Sequence, residues 1–185
     1  MLKRILIITG IVIVGLIIFF NWFKKDTKKH SPAATAHYAE NGLDININYC
    51  RPYAKGRIIF GDEEAGALQP FGKYWRLGAN EATVFENKQT ILFNNIELAP
   101  GKYGMYAYPN RDKWTVCINK EWDRWGAQEA DMTQDVFRTE VIPNNDSPFQ
   151  EQFEISFESA DSSGNFNMVF HWDKTMVKVP LSAKK

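Results

Sequence analysis

Leu43-Asp44-Ile45-Asn46-Ile47-Asn48-Tyr49-Cys50 decides the fold. Apolar and polar residues alternate through all eight positions, which is the period-two signature of a strand with one face buried. Leu43, Ile45, Ile47 and Tyr49 take the inner face. Asp44, Asn46, Asn48 and Cys50 take the outer one.

The same pattern recurs downstream. Arg57–Phe60 is a short strand, Asp62–Gly72 a loop, and strands follow over Tyr74–Phe85 and Thr90–Phe93. Asn94-Asn95 marks a tight turn because Asn tolerates positive φ, and Pro100-Gly101 suits the centre of a type II turn. Tyr103–Tyr108 and Lys113–Asn119 form a hairpin, with Trp114, Val116 and Ile118 on one face. Val136–Ile142 alternates again. Phe153, Ile155 and Phe157 oppose Gln152, Glu154 and Ser156. Ser162-Ser163-Gly164-Asn165 turns the chain into Phe166–Trp172, and Thr175–Leu181 closes the domain. Nine to eleven short strands with turn residues between them predict an all-β, antiparallel β-sandwich or jelly-roll-like domain over 43–181.

Upstream the composition changes. Ile5–Phe20 is uncharged and apolar, and Trp22 and Phe23 extend it to about 19 residues, close to the ~20 that span a bilayer as a helix. Lys24, Lys25, Lys28 and Lys29 follow in place of a cleavage site, and Ala34-Thr35-Ala36 lies too far downstream to serve as one. Residues 1–23 are therefore expected to be an uncleaved transmembrane anchor, with membrane contact through residues 5–23. Residues 24–42 are expected to be a polar tether and 182–185 a tail. Residues 1–30 carry six Lys/Arg and one Asp, which leaves 16 Lys/Arg and 21 Asp/Glu downstream, a net of −5. That balance and the lack of a basic stripe argue against nucleic acid.

The residues with chemistry cluster in Trp75-Arg76-Leu77-Gly78-Ala79-Asn80-Glu81-Ala82-Thr83. In ideal strand geometry Arg76, Gly78 and Asn80 share one face, and Gly78 leaves a slot between guanidinium and amide. Glu81 falls on the other face and needs a partner, or a bulge at Gly78 to turn it. Arg51-Pro52-Tyr53 ends the first long strand, and Pro52 biases Arg51 toward an extended conformation that aims it at a rim. Arg51 is either an anion-binding group or an internal strut paired with an acid such as Glu81. Trp122 and Trp125, three apart in a charged loop, either rim a site or fold back over the sandwich end.

His30, His37 and His171 are scattered, so no metal site and no cofactor are expected. His171 falls on the outward face. Nucleotide-binding and nucleophile-elbow signatures are absent. Cys50 and Cys117 both fall on outward strand faces, which leaves either two free thiols or a disulfide between them.

Several of these segments fall in a recognisable order. Tyr49-Cys50-Arg51-Pro52, Lys55-Gly56-Arg57, Ile59-Phe60-Gly61, Pro70-Phe71-Gly72-Lys73-Tyr74-Trp75-Arg76, Gly78-Ala79-Asn80-Glu81-Ala82-Thr83, Trp125-Gly126 and His171-Trp172 follow one another. The chain resembles the domain-of-unknown-function family 2911, found chiefly in exported proteins of Bacteroidota. Members usually carry Ser at the position of Cys50, so a disulfide would not be a family feature. The resemblance implies export. Lys3 and Arg4 before the apolar run against four lysines after it favour a cytoplasmic C-terminal domain by a small margin. The implied export outweighs this count, and the β-domain is expected in the periplasm, on a single-pass anchor in the inner membrane. The resemblance implies no activity.

Arg51, Tyr53, Arg76, Asn80, Glu81, Trp122 and Trp125 are thus the candidate ligand-binding residues, and no catalytic residue is assigned. The first reading is a binding module for a small anionic or sugar-like ligand or a cell-envelope partner. The second is a hydrolase or lyase with Glu81 as general acid–base beside an Arg. The third is a structural role, with the motif as a buried polar network.

Overall fold

The computed structural model describes residues 2–126 and 128–184, without the side chains of residues 2, 3, 5, 6 and 21–25. Met1 and Lys185, the outer ends of the expected anchor and tail, lie outside the described residues, as do the side chains of Trp22 and Phe23.

Helix α1 (Leu2–His30) leads into β1 (Ala33–Tyr38), β2 (Ile45–Cys50), β3 (Phe60–Gly61), β4 (Gln69–Pro70), β5 (Thr83–Asn87), β6 (Ile91–Phe93) and β7 (Ile96–Leu98). β8 (Gly101–Tyr108), β9 (Trp114–Asn119), β10 (Asp135–Val141), β11 (Pro143–Asn144), β12 (Gln150–Phe157), β13 (Phe166–Asp173) and β14 (Thr175–Ala183) complete the chain. One sheet has the order β1-β2-β5-β8-β9-β10. The other runs β12-β13-β14-β6-β7, with β11 on β14. Both are antiparallel throughout.

The alternating residues fill the space between the two sheets, so the expected β-rich, sandwich-like architecture is observed. Ile45, Ile47, Phe85, Val116, Ile118, Phe153, Met168, Val177 and Val179 are fully enclosed. An aromatic cluster closes one end. Trp75 stacks on Trp172 at 5.8 Å and meets Phe153 and Trp114 edge-on at 5.0 and 5.7 Å. Each such ring buries roughly 150–250 Å², so this cluster supplies much of the apolar packing at that end of the sandwich.

Four expectations fail in instructive ways. The tether is not one: α1 continues to His30, and Ala33–Tyr38 pairs along β2 from Ala33↔Cys50 to Tyr38↔Ile45. Small residues such as Ala33, Ala34 and Ala36 suit an edge strand as well as a linker, and composition does not separate the two. The tail is likewise partly strand, since Ser182 and Ala183 pair with Leu92 and Ile91. The strand expected over Tyr74–Phe85 is broken between Trp75 and Thr83, where Leu77 and Asn80 take positive φ of 51° and 60° and Gly78 takes 153°. Gly101 does not take the positive φ of a type II turn; it opens β8 directly.

The described residues contain no helix long and apolar enough to cross a membrane. The transmembrane span expected over 5–23 is therefore not found among them. The part that is described, Ile7–Phe20, is exposed at every position, with Ile11 at 66% and Phe19 at 55%.

Candidate functional site

Thr83 and the glycine before it explain why the motif leaves the sheet. Thr83 Oγ1 donates to the Leu77 carbonyl at 2.7 Å, closing the loop on itself, and Trp75 Nε1 donates to the Gly78 carbonyl at 3.2 Å. A Cβ on Gly78 would lie 2.8 Å from the Cys50 carbonyl oxygen, so only glycine lets the loop pass under β2. Leu77 is fully buried in a left-handed conformation, a strain that the surrounding packing must hold.

This loop sends its polar residues to two places. Arg76 turns into a cleft of about 310 Å³ above Trp75 and Trp172. His30, Lys55, Arg57 and Arg76 line that cleft with Tyr53, Tyr74 and Gln69, and among the described residues no carboxylate does. Arg76 Nη1 donates to the Asn80 carbonyl at 3.3 Å. Arg57 donates through Nη2 to the Tyr53 carbonyl at 2.5 Å and through Nε to the Ala54 carbonyl at 3.0 Å. These acceptors orient the two guanidinium groups but leave their charge uncancelled. Arg51, Arg111, Arg124 and Arg138 each have a carboxylate within ion-pair distance. Among the described arginines of the β-domain, only Arg57 and Arg76 do not. Burial holds the Arg76 guanidinium below its usual value; Tyr74 opposes the shift and Arg124 adds to it.

Glu81 goes the other way. It pairs with Lys28 of α1 at 2.9 Å and accepts from Cys50 Sγ at 3.4 Å, in a second cleft lined by Thr35, Asn48 and Ala82. Burial pushes its carboxyl up, but hydrogen bonds from Lys28, the backbone and Cys50 outweigh this and hold it below its ordinary value. Asn80 Nδ2 donates to the Ser31 carbonyl at 3.3 Å, and Arg51 N to the Pro32 carbonyl at 2.8 Å. Asn80 and Glu81 therefore clamp the junction between α1 and β1.

The expected charged cluster is thus not formed. No hydrogen bond or ion pair joins Arg51 or Arg76 to Glu81 among the described residues. Arg51 instead donates through Nε to the Phe153 carbonyl at 3.0 Å and pairs with Glu154 at 3.5 Å, as an internal strut. Tyr53 does line the cationic cleft. Trp122 and Trp125 line neither cleft. Their loop folds back: Trp125 bridges Glu81, Gly126 N donates to the Asn80 carbonyl at 3.0 Å, and Lys102 sits 5.0 Å over the Trp122 ring. Cys50 and Cys117 are both free and buried. Burial raises both thiols, Cys117 to about 12. His171 bonds the Pro148 carbonyl at 2.9 Å, and no group of three or more His, Cys, Asp or Glu side chains placed to hold a metal ion occurs among the described residues.

A profile for the family described as protein of unknown function (DUF2911) matches residues 31–181. The chain belongs to this family. No curated protein and no solved structure matches it. The family's segment begins at Ser31, the residue that Asn80 holds. The DUF2911 domain therefore includes β1, which the sequence reading assigned to a tether.

Four cleft residues of the DUF2911 domain were not singled out from sequence: Lys55, Arg57, Gln69 and Tyr74. The available signal was local. Lys55-Gly56 takes positive φ at both positions (51° and 67°), and such a turn places Lys55 and Arg57 beside Tyr53. His30 was also missed, because it was read as part of a tether.

A buried polar network beneath the segment that carries Glu121, Ala130 and Asp131 was missed too. Tyr106 donates to both Asp135 carboxylate oxygens at 2.8 Å, Asn119 donates to one at 2.7 Å, and Arg138 to the other at 2.6 Å. Tyr106 is fully enclosed. Tyr106, Tyr108 and Cys117 on an outward strand face were the sign that something covers it.

Proposed function

We propose that this protein is a binding module for a small anion, carried at a membrane surface by α1. The observation that supports the first part is the cleft at Arg76. Four basic side chains converge there without a carboxylate, and Arg57 and Arg76 are held by neutral carbonyls. A desolvated guanidinium with no counter-charge favours an anionic oxygen ligand, which it meets with planar, paired donors. The neutral-sugar alternative loses its main support, since the two tryptophans expected to stack on a ring lie away from the cleft. The acid–base alternative loses its geometry, since Glu81 is paired with Lys28 and, among the described residues, shares no hydrogen bond or ion pair with Arg51 or Arg76.

The second part rests on the exposed run Ile7–Phe20. Continuous apolar exposure on this scale costs free energy in water and is relieved in hydrocarbon. Together with the flanking Ile5, Leu6, Trp22 and Phe23 of the sequence, the run has bilayer length. Export, implied by the family resemblance, puts the β-domain on the periplasmic side of the inner membrane in this reading.

Thermal unfolding of the full chain in neutral detergent tests the ligand class. Phosphate or sulfate should raise the midpoint in a saturable way, because a ligand selective for the native state stabilises it by mass action. Neutral sugars should not. Stabilisation by sugars but not by anions would refute the proposal.

A further inference from the structure

The cationic cleft is not separate from the helix. His30 and Ser31, the last residue of α1 and the one after it, form part of its wall. Ser31 is buried and its carbonyl is held by Asn80, while Ser31 N donates to the Thr27 carbonyl at 3.2 Å. Lys28 is held by Glu81 on the other side. The cleft and the end of α1 therefore share a wall.

That coupling sets a distance. The apolar run ends at Phe23 in the sequence, seven residues before His30, and a helix rises about 1.5 Å per residue. The cleft then stands about 10 Å beyond the hydrocarbon edge when α1 is inserted. The headgroup layer is roughly 5–8 Å deep on each side, taking a core of about 30 Å within about 40–45 Å overall. Measured along an upright α1 the cleft thus stands just outside the headgroup layer, and the tilt usual for a membrane helix brings it closer to the lipid phosphates. Lys24, Lys25 and Lys29 stand on the turns between, where a negative leaflet attracts them.

We infer that the anion taken by this cleft is the phosphate of an anionic lipid headgroup, bound by Arg76 and Arg57 with Lys55 and His30 around it. The inference rests on the anion-binding reading above. It adds the source of the anion: the bilayer in which α1 sits. The hydroxyl of Tyr53 and the amide of Gln69 supply neutral donors suited to a glycerol or sugar headgroup attached to the phosphate, while the Tyr74 hydroxyl is taken by Arg124.

The full chain is reconstituted in phosphatidylcholine bilayers containing spin-labelled phosphatidylglycerol or spin-labelled phosphatidylcholine, and the relative association of the two lipids is measured. Inorganic phosphate is titrated separately in phosphatidylcholine bilayers, with thermal unfolding as the readout. The wild type should prefer phosphatidylglycerol. Arg76→Gln, and independently the surface variant Lys55→Gln, should bring that preference down toward parity, and Lys24→Gln/Lys25→Gln should retain most of it. Preference that survives both cleft variants and disappears with the lysine pair would overturn the inference and assign the effect to diffuse charge. Saturable phosphate binding that Arg76→Gln abolishes, without any lipid preference, would overturn the lipid source and leave the anion site standing. Neither lipid preference nor phosphate binding would overturn both.

Discussion

The Arg76 guanidinium rests on the backbone carbonyl of Asn80, 3.3 Å away, and on no carboxylate. The two residues belong to the same motif, yet the loop between them separates their tasks. Arg76 faces an open cationic cleft, while the Asn80 amide reaches across to Ser31. Gly78 makes this possible, because a residue with a Cβ there would collide with the Cys50 carbonyl.

Gly78→Ala should therefore be costly. The new Cβ would sit 2.8 Å from the Cys50 carbonyl oxygen at a φ of 153°. Strained backbone of this kind costs on the order of 1–3 kcal/mol before any clash. A fall of at least about 2 kcal/mol in unfolding free energy is expected, and denaturant titration checks it.

Glu81→Ala should cost little. The Lys28–Glu81 pair is half-exposed, with side-chain accessibilities of 47% and 38%, and such pairs contribute about 0–1 kcal/mol. The pH dependence has a definite sign. Glu81 is held below its ordinary value of 4.5 in the folded state, so its contribution is present above that pH and is lost as pH falls through the folded value. Lys28 is raised above 10.5 by its hydrogen bond to Glu81, so its share is lost only as pH rises beyond that. The gap between wild type and variant should be steady from about pH 5 to pH 10 and should close on acidification. Unfolding midpoints measured across pH test this.

Tyr106→Phe should be more damaging than its exposed neighbours suggest. The hydroxyl is buried and donates to both oxygens of Asp135. Hydrogen bonds to charged groups contribute about 1.5–3 kcal/mol, and Phe leaves the carboxylate short of a donor. A calorimetric loss below about 0.5 kcal/mol would show the network to be dispensable.

Thiol reagents should find Cys50 and Cys117 slow in the native protein and both reactive after denaturation without reductant. Burial raises both thiols, which depletes the thiolate that reacts. A denatured protein with no free thiol would contradict the two unpaired cysteines.

Much of the sandwich was legible because period-two alternation is imposed by a core that lies between two sheets. Residues 45–50, 114–119 and 166–173 became strands for that reason. Where a polar face is covered by a loop, alternation carries no message, and the Tyr106–Asp135 network stayed hidden. Trp75–Thr83 misled because Leu77, Ala79 and Glu81 fit a strand pattern, while the positive φ at Leu77 answers to tertiary packing. Arg76, Asn80, Glu81 and Tyr53 stand out in the sequence as polar residues, and the structure places them at the two clefts and at the junction of α1 with β1. That Glu81 and Arg76 would separate into two clefts depended on Lys28 and Arg57, which are distant in sequence from the motif.

Isothermal titration of inorganic phosphate into the full chain, beside the Arg76→Gln variant, tests the anion cleft most directly. The account predicts saturable binding at one site in the wild type, weakened as ionic strength rises, and its loss in Arg76→Gln with the folded state intact. No binding by the wild type, or equal binding by the folded variant, would contradict it.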